Sequence, residues 1–362
     1  MGVNTEYNDN SLLEMFGLNY EQTLLLFSSQ KMLAEYDYQI TKSEKVAALK
    51  KEWIREWESS VSSYLDAIDQ NLKASLYPSD ELPARFVAEA KSSNNRTWYY
   101  IVALELLEFV AYFPLGTEKD KDFKKCKYDI DKTYDFIIRW MPKQGIISTS
   151  KLERLDKTYM KSVSHISGKT NKIIMKVLTV VAIAALAAAG AAVAAGSIAV
   201  AIFGSAFEGL SGAALVSACL AMAGGGAIAV GGAGMAGGVA AIAGGGALLG
   251  LAGGSAVVGA TSKMLSTPEF AMSQSAKLET ILKEVILNAQ KDVVSAQKII
   301  SRYQEQIAQL SKRLTEMELA DEKNKQDIKD LKKCIDAYKK AYKNMTVFAS
   351  AYETGMNAEG TA

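Results

Sequence analysis

Charge is what the middle of this chain lacks. From Val177 to Ser262, 86 consecutive residues, the only Asp, Glu, Lys or Arg is Glu208, although the whole chain has 41 basic and 40 acidic residues. Histidine is almost missing as well. His165 is the single copy, so a zinc site built on histidines is not expected, and this residue reads as an ordinary helix-surface or core position. The three cysteines, Cys126, Cys219 and Cys334, are odd in number, far apart and in no CxxC pattern, which excludes a disulfide framework. Only five prolines occur and none lies between Pro142 and Pro268, so long helices are permitted. A net charge of +1 gives no basic footprint for nucleic acid. Alternating β-branched runs between hairpin turns are absent, so no strand is expected. No GxxxxGK[ST] occurs. The GxGxxG formed by Gly232, Gly234 and Gly237 lacks the acidic residue about 20 positions on that a dinucleotide site needs, the next acidic residue being Glu269. With no set of acid, base, nucleophile or metal ligands, no enzymatic activity and no cofactor are expected.

Outside the uncharged stretch, the sequence reads as amphipathic helix. Asn19 to about Tyr77 reads as one long helix or two in line. Its stripe is Val46, Leu49, Trp53, Trp57, Val61, Tyr64, Ile68 and Leu72, at steps of three and four. Trp53 and Trp57 are expected in the core. The segment YPSDELP, Tyr77 to Pro83, is a turn. A second helix is expected from about Ala84 to Tyr112, apolar on most sides between Trp98 and Phe113, with FPLGT (Phe113–Thr117) as its breaker. A third runs from about Glu118 to Trp140, with Phe123, Ile130, Tyr134 and Ile137 on one face, and ends at MPKQG, Met141 to Gly145. A fourth starts near Ser150, shows Leu152, Leu155, Tyr159, Val163 and Ile166, and is expected to continue through Ile173 and Ile174 into the apolar stretch. Beyond it, Thr267-Pro268-Glu269 looks like a helix start with proline in the first turn. That helix is expected to run almost to Tyr352. From Tyr303 its apolar seam alternates steps of four and three through Ile307, Leu310, Leu314 and Met317, then Ile328, Leu331, Ile335, Tyr338, Tyr342 and Met345. Asp321 and Asn324 interrupt the seam, which marks either a bend or a helix-to-helix turn. The last ten residues, ETGMNAEGTA, read as a disordered tail. The expected fold is all-α: an elongated antiparallel bundle of long helices (1–176 and 263–362) as a tail, with a hydrophobic helical head (177–262) inserted between the fourth long helix and the C-terminal helices.

The apolar stretch has two textures. Val177–Phe207 is Ala, Val, Ile and Leu with three glycines. As a helix its 31 residues would reach ~46 Å, more than the ~30 Å of a bilayer's hydrocarbon core. EGLSG, Glu208 to Gly212, is the one polar, turn-prone spot. From Gly224 to Gly254 the texture is glycine-rich, with 14 of the chain's 27 glycines. The simplest geometry is a membrane-inserting hairpin carried by Val177, Val181, Ile183, Leu186, Val193, Ile198, Ile202, Phe203, Phe207, Leu210, Leu215, Val216 and Leu220, with its tip at Glu208, Gly209 and Gly212. Glu208 either crosses to the far side or faces a water-filled lumen, and the bland alternative is a solvated loop residue. Lys172 and Lys176 before the stretch and Lys263 after it can reach lipid headgroups on one common face. Gly234 and Gly238, and Gly246, Gly250 and Gly254, lie four apart, a spacing that lets helices approach closely in lipid. Equally, such glycines keep a segment conformationally soft.

Long amphipathic helices enclosing one apolar segment, here Val177–Ser262 followed by the returning helix Glu269–Tyr352, resemble the cytolysin A (ClyA) family of α-helical pore-forming toxins. The unusually long, almost wholly apolar head is similar to that of the B component of the tripartite members in Gram-negative bacteria. The resemblance rests on layout and carries over no catalytic residue. It implies a soluble form that hides the head, conversion to a membrane-inserted homo-oligomeric pore in the bilayer of a target cell, and further toxin components as partners. The first residues show no basic region followed by an apolar run, so export is expected to proceed without a classical cleavable signal. Two alternatives stay open: a constitutive membrane scaffold or secreted effector with helical soluble arms, and a colicin-like pore former.

Overall fold

The computed structural model describes residues 18–68, 75–112, 115, 117–168, 268–320 and 325–359. The fold class is all-α, and among the described residues there is no strand.

Asn19 opens α1 (Tyr20–Gln39) through a capping box with Gln22. The side chain of each residue takes an orphan amide of the other's region. The helix stops at Ile40–Ser43, and α2 (Glu44–Ile68) folds back along it. Lys31 pairs with Glu58 at 2.5 Å, Phe27 lies 6.3 Å edge-on to Trp57, and Lys50 meets Asp37 at 2.5 Å. Residue numbers rise on one helix as they fall on the other, so the pair is antiparallel rather than one rod or two in line. The break has local causes. The Thr41 hydroxyl donates to the Asp37 carbonyl at 2.8 Å, and Ser43 and Thr41 compete with helical bonding as Ser and Thr do at turns.

Three further expected helices also divide. The second is α3 (Leu82–Ser92) and α4 (Thr97–Glu108). The side chain of Asn95 accepts from both the backbone amide and the hydroxyl of Thr97, at 2.8 and 2.7 Å, and so restarts the chain at α4. The third is a single turn, α5 (Asp120–Phe123), and α6 (Ile130–Trp140). Asp129 caps α6 by accepting from Lys132, while its own amide donates to Asp37 at 2.8 Å. A short 3-10 turn, Met141–Gln144, follows and ends at Gly145, whose φ of 72° needs glycine.

The fourth, α7 (Thr149–Ser167), is capped by Ser148 and buries Leu152, Leu155, Tyr159, Val163 and Ile166 as the spacing requires. It does not run on uninterrupted. Gly168 takes a left-handed φ of 68° and ends it. Ile173 and Ile174 lie outside the described residues.

Past residue 267 the single long helix is three. These are α8 (Pro268–Ile281), which continues as a π-helical segment through Leu287, α9 (Val293–Ala320) and α10 (Lys325–Glu359). Asp321 and Asn324 fall outside the described residues, in the connection between α9 and α10. The two helices face each other: Tyr303 and Tyr338 pack edge to face at 5.6 Å, and Lys332 pairs with Glu318 at 2.7 Å. α9 and α10 are therefore antiparallel neighbours and do not form one straight rod. α10 extends through Glu353–Glu359, where a tail was expected.

One contiguous core joins both halves. α1 packs on α2, α3, α4 and α6, α8 packs on α4, α7 and α10, and α4 links the two groups. In the first group Trp53 is 0% exposed, stacked 5.9 Å from Trp57 and edge-on to Tyr112 at 5.3 Å. Tyr112 holds a left-handed φ of 69°, a costly conformation for an aromatic residue. Its hydroxyl donates to Asp37 at 2.7 Å, and its ring lies under Lys50 at 4.9 Å. Trp53→Ala should lower unfolding stability by about 3–5 kcal/mol, as removal of a fully buried aromatic does. Urea denaturation followed by circular dichroism checks this, and a loss below about 1 kcal/mol would contradict the packing.

Candidate functional site

The described residues place the two helices that flank the apolar segment in sequence. Tyr159 of α7 approaches Ser273 of α8 at 3.5 Å, and Arg154 pairs with Glu284 at 2.6 Å. The helices are antiparallel, so Gly168, the last described residue before the segment, and Pro268, the first after it, lie at the same end of the pair. The thirteen apolar positions from Val177 to Leu220, the tip residues Glu208, Gly209 and Gly212, the glycines Gly234, Gly238, Gly246, Gly250 and Gly254, and Lys172, Lys176 and Lys263 lie outside the described residues. Among the described residues, no helix is long and apolar enough to cross a membrane, and no group of acidic, histidine or cysteine side chains could hold a metal ion.

What the structure does build is the packing around α7 and α8, the helices on either side of residues 169–267. Ser275 through Leu282 of α8 are all buried. Eight consecutive buried residues exceed two turns of helix, so α8 is enclosed on every side. A helix buried all round is usually apolar, yet this one carries Ser273, Ser275, Lys277, Glu279 and Thr280 into the interior. Each has a partner. Ser275 shares a 2.6 Å hydrogen bond with the Tyr303 hydroxyl, and Thr280 donates to the Ala276 carbonyl at 2.7 Å. Glu279 accepts from Lys283 at 2.6 Å and from Asn344 of α10 at 3.3 Å. Asn344 also meets the exposed His165 at 2.8 Å, and Lys340 donates to the Ile166 carbonyl at 3.3 Å. α10 thereby holds the last turn of α7 and supplies a cation where the helix dipole favours one.

The centre of the site is Lys277. Its ammonium lies 2.6 Å from Glu105 and 3.1 Å from Glu108, both on α4, with side-chain exposures of 5, 15 and 7%. Glu105 and Glu108 are three apart and so share a face of α4. Ser273 donates to Glu108 Oε2 at 3.3 Å, while Glu108 Oε1 has no hydrogen-bond partner. Burial pushes the Glu108 carboxyl up to about 7, with Lys277 opposing the rise and Glu105 adding to it. Burial works against the Lys277 ammonium, but Glu105 and Glu108 outweigh it and raise its pKa above the ordinary lysine value. None of these residues was singled out in the sequence. The available signal was two carboxylates one turn apart in TWYYIVALELLE, an otherwise apolar helix.

A second polar feature is an open cleft of about 400 Å³ beside Asp37, Thr41, Lys50, Tyr128 and Asp129. Asp37 is already committed there, to Lys50 at 2.5 Å, the Tyr112 hydroxyl at 2.7 Å and the Asp129 amide at 2.8 Å. That network ties α1, α2 and α6 together and leaves little for a ligand. Cys126 and Cys334 are both thiols, and the pKa of the half-buried Cys126 is raised, chiefly by burial, which makes it less reactive.

Comparison with protein-family models, with curated proteins and with solved structures returns no match.

The buried cluster makes a sharp stability prediction. Lys277→Met leaves two buried carboxylates without their cation and should cost about 3–5 kcal/mol. Replacing all three together, Lys277→Met with Glu105→Leu and Glu108→Leu, should recover most of that loss, because no charge is then left buried alone. Urea unfolding of both variants checks it. A single variant as stable as the unaltered protein would contradict the cluster's role.

Proposed function

We propose that the protein is a membrane-inserting subunit of an α-helical pore-forming toxin, corresponding to the B component of a multi-component cytolysin. One observation carries the reading. An 86-residue stretch with a single charge is inserted into a charge-rich helical chain, and both of its flanks sit at one end of an antiparallel helix pair. That much apolar surface is rarely left in water, where exposed patches above a few hundred Å² are uncommon. A bilayer accepts it, since ~20 apolar residues suffice for each crossing. A segment that departs and returns at one end enters the membrane from one side, with the helical body remaining outside as the tail. In this reading Glu208, Gly209 and Gly212 form the leading tip, and Lys172, Lys176 and Lys263 meet the headgroups. The subunit is secreted by a bacterium and assembles with copies of itself in the target-cell bilayer.

The same composition points to partners. Thr179, Ser197, Ser205 and Ser217 are the hydroxyls of the spans Val177–Phe207 and Ala213–Ala223, too few for a polar stripe along either, and Ser211 lies at the tip. A lumen of Ala, Val and Gly dewets and conducts ions poorly. A further component with an amphipathic hairpin would cover the apolar surface and present its polar face to the lumen.

Two outcomes test this. Replacing Val177–Ser262 by a short Gly/Ser linker should leave a helical protein, because Gly168 and Pro268 lie at one end of the pair, and should abolish liposome flotation. Retained flotation would refute the insertion role. The full chain alone should bind liposomes and oligomerise but give weak or narrow conductance in planar bilayers. Large stable channels from this protein alone would refute the need for a further component.

A further inference from the structure

We propose that Glu108 is a reversible proton-binding site that sets how tightly α8 is held between α4 and α7. The inference stands on the described helices and does not depend on the membrane reading. Two carboxylates, Glu105 and Glu108, surround the one ammonium of Lys277 at 2.6 and 3.1 Å. With all three ionised, the buried cluster carries one excess negative charge. The groups that face Glu108 are Glu105 from its own helix, Lys277 and Ser273 from α8, and Tyr159 from α7. No second cation is among them. Burial and the neighbouring Glu108 carboxyl hold the Tyr159 phenol protonated well beyond its usual range, so it does not add charge.

The proton has one natural position. Glu105 lies closer to the ammonium and is the more exposed of the two, 15% against 7%. Glu108 Oε2 is shared by Lys277 at 3.1 Å and Ser273 at 3.3 Å, the Tyr159 hydroxyl faces the same carboxyl and favours its anion less strongly than burial disfavours it, and Oε1 has no partner within hydrogen-bond distance. An anionic oxygen buried without a donor is costly, and a neutral carboxyl much less so. A proton taken from solvent onto Oε1 removes the excess charge, leaves Oε2 as acceptor for Ser273 and Lys277, and leaves Glu105 and Lys277 as a matched pair.

The sign follows from the direction of the shift. Burial raises the folded carboxyl from the ordinary 4.5 to about 7. Between those values the folded form binds more protons than the unfolded one, so the stabilisation grows as pH falls from 8 and is lost as pH rises through 7. Salt-bridged carboxylates with lowered pKa behave in the opposite way, weakening in acid. α8 is the helix into which the apolar segment returns, and the cluster begins five residues after Pro268. Alkalinity therefore loosens, and mild acidity tightens, the hold of α4 and α7 on α8.

The test is hydrogen exchange on the full chain, reading peptides within 268–287 at pH 6 and pH 8 after correction for intrinsic rates. With a carboxyl at about 7, the opening constant should fall about tenfold from pH 8 to pH 6, and Glu108→Gln should abolish the difference. Equal opening at both pH values, or the same tenfold change in Glu108→Gln, would overturn the proposal. Should that variant not fold, carboxyl NMR of the unaltered protein labelled with 13C-glutamate still decides. One glutamate titrating near pH 7 supports the proposal, and all of them titrating below about 5.5 overturns it.

Discussion

Lys277 is the residue on which the arrangement of the C-terminal helices depends. An ammonium 5% exposed is tolerable only with its carboxylates in place, and Glu105 and Glu108 reach it from α4 only in one register. Hydrophobic contacts alone leave a helix free to rotate or slide by a turn at modest cost. A buried ion pair does not, because any shift strands a charge. α8 is thereby fixed against α4, and Gln290 donating to Thr97 at 3.0 Å fixes the far end of the same antiparallel pair. Asn344 and Lys340 of α10 then secure the last turn of α7. The flanks of the apolar segment are thus held by polar bonds of defined geometry.

The N-terminal helices repeat the principle in smaller form. Asp37 collects Lys50, Tyr112 and the Asp129 amide, and this pays for the left-handed backbone of Tyr112. α4 bridges the two centres: its apolar faces complete the core shared with α1, and its last turn carries the carboxylates for α8. α4 thus touches both the aromatic core and Lys277.

Much of the helical character was legible in the sequence, because it depends on local signals. Pro268 opens α8, Ser148 caps α7, and the stripe from Leu152 to Ile166 is buried as its spacing requires. The seam from Tyr303 to Met345 is buried or half-buried on two helices that face each other, and the heptad pattern, broken at Asp321 and Asn324, left open whether a bend or a helix-to-helix turn joins them. Periodicity reports which face is covered but not by what, and a continuous helix and a hairpin can share one heptad pattern. The fold-back at Ile40–Ser43 and the restart at Asn95 rest on single side chains that bond to local backbone, a weaker signal than an apolar run. The Lys277 cluster was not legible for another reason. Its members are 172 residues apart, and no local pattern shows which lysine will reach two carboxylates. The apolar stretch, with its expected tip and glycine rows, lies outside the described residues.

The central claim is that this stretch enters a bilayer while the helices on either side of it do not. With Cys126, Cys219 and Cys334 replaced by serine, a fluorescent probe attached to cysteine at position 203, replacing Phe203, and in a second protein at position 298, replacing Lys298 of α9, tests it most directly. Each probe is read with liposomes whose acyl chains carry a nitroxide quencher. The account predicts strong quenching at 203 and none at 298. Equal emission from both probes, with and without the quencher, would contradict it.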